Sequence, residues 1–184
     1  MNILHIDSCA LGDHSASRQH TAATVARLTA DHPHASLLYR DLAAAPLSHA
    51  SGPLLQVLSQ RWDATIPMST ELRAEALQSA SLLREFHDAD IVVIGAPMHN
   101  FSVPSTLKAW LDRLLEMQAA GALRADARVL LVTTGCASAG EAEELMRNHE
   151  AQLKAAFIRL GITRLDVVHN NTEPLQTPEL KTAA

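Results

Sequence analysis

Residues 91–96 read Ile-Val-Val-Ile-Gly-Ala, without one polar side chain. Six residues match the length of a strand, and a strand apolar on both faces has to be covered on both. A central parallel strand flanked by helices meets that demand, whereas a strand of a half-solvated sheet would alternate apolar and polar positions. The rest of the chain agrees. Segments 2–7, 35–39, 90–96, 128–134 and 164–169 read as strands, and 17–30, 70–87, 105–118 and 139–160 carry helical spacing between them. In 70–87, Leu72, Ala76, Leu82, Leu83 and Phe86 fall near one stripe. Region 41–67 is irregular, with a short helix expected over 54–62. Pro104 opens 105–118, where its missing N–H costs nothing, and Gly161 stops 139–160. Strand and helix alternating in this way build βαβ units, so the expected fold class is α/β, a doubly wound sandwich on a mainly parallel sheet.

With 184 residues and no linker, repeat or low-complexity tract, the chain is expected to form one domain, 1–184. No apolar run nears the roughly 20 residues that cross a bilayer, so no membrane insertion is expected. The first residues, Met-Asn-Ile-Leu-His-Ile-Asp-Ser, lack a basic leader region and read as a strand, from which a cytoplasmic protein is expected. A net charge of −5 without a Lys/Arg cluster argues against nucleic acid as a partner. Cys9 and Cys136 form no CxxC pair, and His32 and His34, flanking Pro33, have no Cys or carboxylate at ligand spacing; no metal is expected.

In a doubly wound sheet, ligands bind beyond the carboxyl ends of the strands, where strand order reverses. The loop after the first strand, residues 8–19, has neither GxGxxG nor GxxxxGK[ST], which excludes the usual dinucleotide and polyphosphate cradles. It offers Ser15 and Ser17 at the mouth of a helix, where free backbone N–H groups favour an anion and two hydroxyls can donate to it. A single terminal phosphate suits this set. A plain N-cap at Ser15 accounts for it as well, and from this loop alone both readings stand. The turn after the third strand adds Pro97 and Met98 as a stiff apolar shelf, and Asn100 and Phe101 as an amide and a ring. A flat heterocycle needs those features; a core Phe101 and a turn-forming Asn100 are the competing readings. No GxSxG or HExxH is present, and no catalytic residue is assigned.

IDSCALGDHSASR, RDLAAAPL, IVVIGAPMHNFSVPSTLKAWLDRL and LGITRLDVV together resemble the FMN-dependent NADH:quinone oxidoreductases and azoreductases of flavodoxin-like fold. The resemblance runs through most of the chain. It implies a five-stranded parallel sheet in the order 2-1-3-4-5 with FMN at the switch point. It implies that Ser15, Ala16 and Ser17, with Cys9, hold the FMN phosphate. Pro97, Met98, His99, Asn100 and Phe101 would line the flavin ring, and the loop from Thr134 and Gly135 onward would close its pyrimidine side. NADH or NADPH would reduce the flavin, and a quinone or azo compound would then enter the same cleft, in a homodimer. His99 stands where the family often has an aromatic, which leaves both stacking and proton donation open to it.

The sequence departs from the family in four places. Cys9 replaces the usual serine, and a thiol is the weaker donor. Thr134-Gly135-Cys136-Ala137 replaces a Ser-Arg-Gly-Gly run. The connection 113–128 is shorter and lacks a Thr-Phe-x-Tyr stretch, which implies a more open pocket. The family's final helix is reduced to the tail 170–184, and a partner subunit is expected over that sheet face. These departures keep two alternatives in play, a flavin carrier without substantial turnover and a scaffold that has lost the flavin.

Overall fold

The structure is a computed structural model and describes residues 1–119, 127–134 and 141–169. Five strands form one sheet: β1 (Asn2–Asp7), β2 (Ser36–Asp41), β3 (Ile91–Gly95), β4 (Arg128–Thr133) and β5 (Arg164–His169). Five α-helices connect or flank them: α1 (Ala16–Asp31), α2 (Gly52–Leu58), α3 (Thr70–His87), α4 (Ser105–Ala119) and α5 (Glu141–Arg159). Every strand pair is parallel, and the spatial order is β2-β1-β3-β4-β5. The order and the fold class match expectation. The chain leaves β1 toward β2 and returns on the other side for β3, so the strand order reverses between β1 and β3.

The fully apolar β3 is buried at every residue, and its alternate side chains feed two cores. Val92 and Ile94 join Leu4, Ile6, Val129 and Leu131 against α3, α4 and α5 through Phe86, Trp110 and Phe157. Ile91 and Val93 join Ile3, Leu130 and Val132 against Val25 and Leu28 of α1. Phe86 packs edge-on to Trp110 at 5.7 Å between ring centroids and lies 6.3 Å from Phe157. Truncating a buried aromatic of this kind costs about 3–5 kcal/mol.

Helix ends follow their local chemistry. Ser51 and Ser69 cap α2 and α3 by accepting the N–H groups of Leu54 and Leu72. Helix α2 starts earlier than the expected 54–62, because Ser51-Gly52-Pro53 supplies a cap and an early proline. After α5, Gly161 has φ +85° and its N–H reaches Ile158 O, while Ile162 N–H reaches Phe157 O; this double closure needs a residue without a Cβ. Arg113 is fully buried on α4 and ties α3 to the segment before α2. Its Nη1 donates to Ser79 Oγ at 2.8 Å, and Nη2 donates to Ser48 O at 2.9 Å and Oγ at 2.8 Å.

Candidate functional site

The loops after β1, β3 and β4 are laced together at the reversal point. Ser8 Oγ, buried at the end of β1, donates to Gly95 O at 2.7 Å, and Thr106 Oγ1 in the first turn of α4 donates to Ser8 O at 3.1 Å. Beyond β3, Ala96 N–H reaches Val132 O at 2.9 Å and Met98 N–H reaches Thr134 O at 2.8 Å. From α5, buried His149 donates its Nε2–H to Ala96 O at 3.0 Å, which assigns the tautomer. The backbone at Ala96 is therefore held from β4 on one side and from α5 on the other.

After β1 the chain makes a short 3-10 turn, Gly12–His14, with Gly12 at φ +55°. Ser15 then caps α1: its backbone is extended and its Oγ accepts Arg18 N–H at 3.3 Å. The cap reading is thus correct, and it does not exhaust the site. Ser15 Oγ lies 2.9 Å from Ser17 Oγ, and both residues are buried. One hydroxyl hydrogen is used between them, so the other has no acceptor among the described residues. The first turn of α1 contains no acidic residue, so nothing in that turn opposes an anion at the helix end.

His99 and Ser102 exchange both backbone hydrogen bonds, at 2.7 and 3.1 Å, closing a two-residue hairpin. Its central residues, Asn100 and Phe101, have φ of +48° and +72°, the left-handed pair such a tight turn requires. Asn tolerates that conformation; a phenylalanine there carries strain on the order of 1 kcal/mol or more. The result is a ring that is 72% exposed, so Phe101 is not a core residue. Pro97 is buried, and Met98 and His99 are half-buried along the same segment. Cys9 is buried with its sulfur 3.7 Å from His99 Nε2.

Behind the loop after β1 lies a charged cluster. Arg18 Nε and Nη2 donate to Cys9 O at 3.0 and 2.8 Å, and its fork grips Asp41 at 2.6 and 2.8 Å. Arg18 Nη1 also donates to Tyr39 OH at 3.1 Å, and the Tyr39 O–H donates to Asp7 Oδ2 at 3.1 Å. Asp7 Oδ1 accepts from Thr21 Oγ1 at 2.8 Å. Hydrogen bonds from Arg18, aided by the Ala44 and Ala43 N–H groups, pull the Asp41 carboxyl down to about 2. Burial, followed by the charge of Asp7, pushes the Tyr39 phenol up to about 12. Gly95 makes room for this cluster: a Cβ there would sit 3.0 Å from Asp7 Oδ1.

Of the expected site residues, Cys9 and His99 meet directly, Ser15 and Ser17 pair at the start of α1 with Ala16 between them, and Thr134 holds Met98 through its carbonyl. Asn100 and Phe101 form the exposed tip of the hairpin. Gly135, and with it Cys136 and Ala137, lies outside the described residues. Sequence reasoning gave no role to Ser8, Arg18, Asp41, Gly95, Thr106 or His149. For Arg18 and Asp41 a signal existed, since Arg18 closes one of the blocks by which the family resemblance was drawn and Asp41 is the second residue of another.

The chain matches, over residues 1–184, the model of a family described as flavodoxin-like fold. An FMN-dependent NADH:quinone oxidoreductase of Methylocella silvestris is 43% identical over 178 residues, covering 91% of this chain and 86% of the relative. One from Sinorhizobium fredii is 40% identical over 178 residues, covering 91% and 84%. Among solved structures, an azoreductase from Bacillus anthracis aligns with a TM-score of 0.76 at 18% identity, over 92% of this chain and 86% of that one. An FMN-dependent NADH-azoreductase of the same species in complex with FMN aligns at 0.73 and 17%, over 91% and 85%. At these identities the two structures speak to the fold, while the curated relatives and the full-length match speak to descent. The chain belongs to the flavodoxin-like-fold family that includes the FMN-dependent NADH:quinone oxidoreductases.

Proposed function

We propose that the protein is an FMN-dependent NAD(P)H oxidoreductase that reduces quinones or azo compounds by two-electron transfer. The observation that carries the reading is the buried Ser15–Ser17 hydroxyl pair at the N-terminus of α1, with one O–H unspent. A phosphate oxygen is an acceptor of the right kind for that hydrogen and for the first-turn N–H groups. The fit extends to the second loop, where the hairpin 99–102 turns Phe101 outward instead of into the core.

Bound FMN would supply the redox chemistry, taking a hydride from NADH or NADPH and passing the electrons to the acceptor. The side chains around it bind and orient. Ser15, Ala16 and Ser17 would hold the phosphate, with Cys9 packed beneath the loop. Pro97, Met98, His99, Asn100 and Phe101 would line the ring, and Thr134 and Gly135 would close its pyrimidine side. His99 can present its imidazole to the cleft only by leaving Cys9 Sγ or by donating from the nitrogen not engaged there. The neutral hydroxyls and peptide N–H groups would take the phosphate without a cationic side chain.

We also propose one domain, a homodimer and a cytoplasmic location. Exposed Leu37, Leu38 and Leu77 offer apolar surface to a second copy, and NADH and NADPH are cytoplasmic reductants. Among the described residues, no helix is long and apolar enough to cross a membrane. Purified protein mixed with FMN and desalted should keep the flavin bands, lose them on NADH or NADPH addition and regain them with a quinone. Flavin retained but not reduced by either nucleotide would leave only a carrier.

A further inference from the structure

Arg18 directly follows Ser17 in the proposed phosphate loop, and a guanidinium there would ordinarily be read as a ligand of the phosphate. The hydrogen bonds point elsewhere. A guanidinium has five N–H groups. Nε and one hydrogen of Nη2 go to Cys9 O; the other hydrogen of Nη2 goes to Asp41 Oδ1; Nη1 serves Asp41 Oδ2 and Tyr39 OH. All five are engaged by the protein, and the group is only 15% exposed.

We propose that Arg18 is a positioning residue: it fastens the Cys9 carbonyl to the end of β2 and thereby pre-orders the loop whose N–H and hydroxyl groups take the FMN phosphate. This rests on the phosphate placement given above. Asp41 is the other half of the device. It grips the fork of Arg18 with both oxygens, and Oδ1 also accepts Ala43 N–H at 2.9 Å and Ala44 N–H at 3.0 Å, which anchors the carboxylate to the backbone after β2. Asp7, 3.9 Å from Arg18 Nη1 and bonded to Tyr39 and Thr21, holds the far side. Two carboxylates face one guanidinium, so the positive charge is already balanced behind the loop. Phosphate recognition should then depend on oriented neutral donors and only weakly on salt.

The test is binding of FMN and of riboflavin to the full-length protein, by flavin fluorescence at two ionic strengths, for wild type, Arg18→Lys and Asp41→Asn. Lysine keeps the charge and loses the planar fork. The expected result is a loss of FMN affinity of about tenfold in each variant, riboflavin affinity within about twofold of wild type, and, in the charge-conserving Arg18→Lys, an unchanged salt dependence. Combining the two substitutions should cost little more than either one, because they break the same clamp. Should Arg18→Lys fail to fold, Asp41→Asn alone carries the same expectation. Full FMN affinity in Asp41→Asn would overturn the proposal, and a steep salt dependence of FMN binding in wild type, absent for riboflavin, would overturn it in favour of direct contact with phosphate. The two readings fail differently. Wild type that binds riboflavin as well as FMN removes the phosphate site itself, whereas a wild-type preference that survives both variants removes only the role of Arg18.

Discussion

Cys9 Sγ lies 3.7 Å from His99 Nε2, and this contact joins the loop after β1 to the turn after β3. A thiol stands where the family resemblance implies a serine, and it is directed at an imidazole. Cys9 itself is buried, and a thiol is a weak donor to the anion proposed at the start of α1. Cys9→Ser should therefore tighten FMN binding, by roughly two- to tenfold if one ordinary hydrogen bond is gained. Flavin fluorescence titration reads this directly; weaker binding would mean that the sulfur contact to His99 outweighs a hydroxyl.

Replacing Ser15 and Ser17 together by Ala should weaken FMN more than riboflavin, since only FMN carries the phosphate. Loss of the cap at Ser15 also costs about 1 kcal/mol of stability, so circular dichroism and melting should accompany the titrations. Equal losses for both ligands would move the phosphate away from this helix end.

Gly95→Ala places a methyl 3.0 Å from an Asp7 carboxylate that Thr21 and Tyr39 already hold. Neither the carboxylate nor the strand can yield freely, so a destabilisation of about 1–3 kcal/mol is expected in denaturant unfolding. A neutral effect would show that the Asp7 cluster is looser than its hydrogen bonds indicate.

Asp41 gives the acid limb of stability a defined origin. Its folded value of about 2 lies below the ordinary 3.8, so its contribution is complete above 3.8 and is lost as pH falls through 3.8 toward 2. Tyr39 acts in the opposite direction: its folded value of about 12 lies above the ordinary 10, so its contribution holds below 10 and fades between 10 and 12. Unfolding followed from pH 2 to 7 should show a flatter acid limb for Asp41→Asn than for wild type; identical limbs would sever the link.

What the sequence made legible follows physical lines. Strand β3 could be read because both of its faces are buried, so one apolar run carried the whole message. Edge strand β2 was legible as a strand but not as an edge: Leu37, Leu38 and Tyr39 look like covered residues and are exposed. The order 2-1-3-4-5 came from family resemblance, since periodicity locates strands without ordering them. Ser15 and Ser17 were found because helix starts have local signals. The hairpin 99–102 was not, because Asn-Phe in two left-handed positions breaks the Asn-Gly preference on which hairpin reading depends. The link from Arg18 to Asp41 spans 23 residues and forms only when β2 docks on β1, so no local pattern could announce it.

FMN bound at the β1/β3 reversal would pass electrons from a nicotinamide nucleotide to the acceptor. The most direct test is an anaerobic absorbance record of the FMN-loaded, desalted protein as NADH, NADPH and then a quinone are added. The flavin bands should survive desalting, bleach with a reduced nicotinamide nucleotide and return with the quinone. Bands that wash out on desalting, or that stay unbleached with both nucleotides, would contradict this expectation.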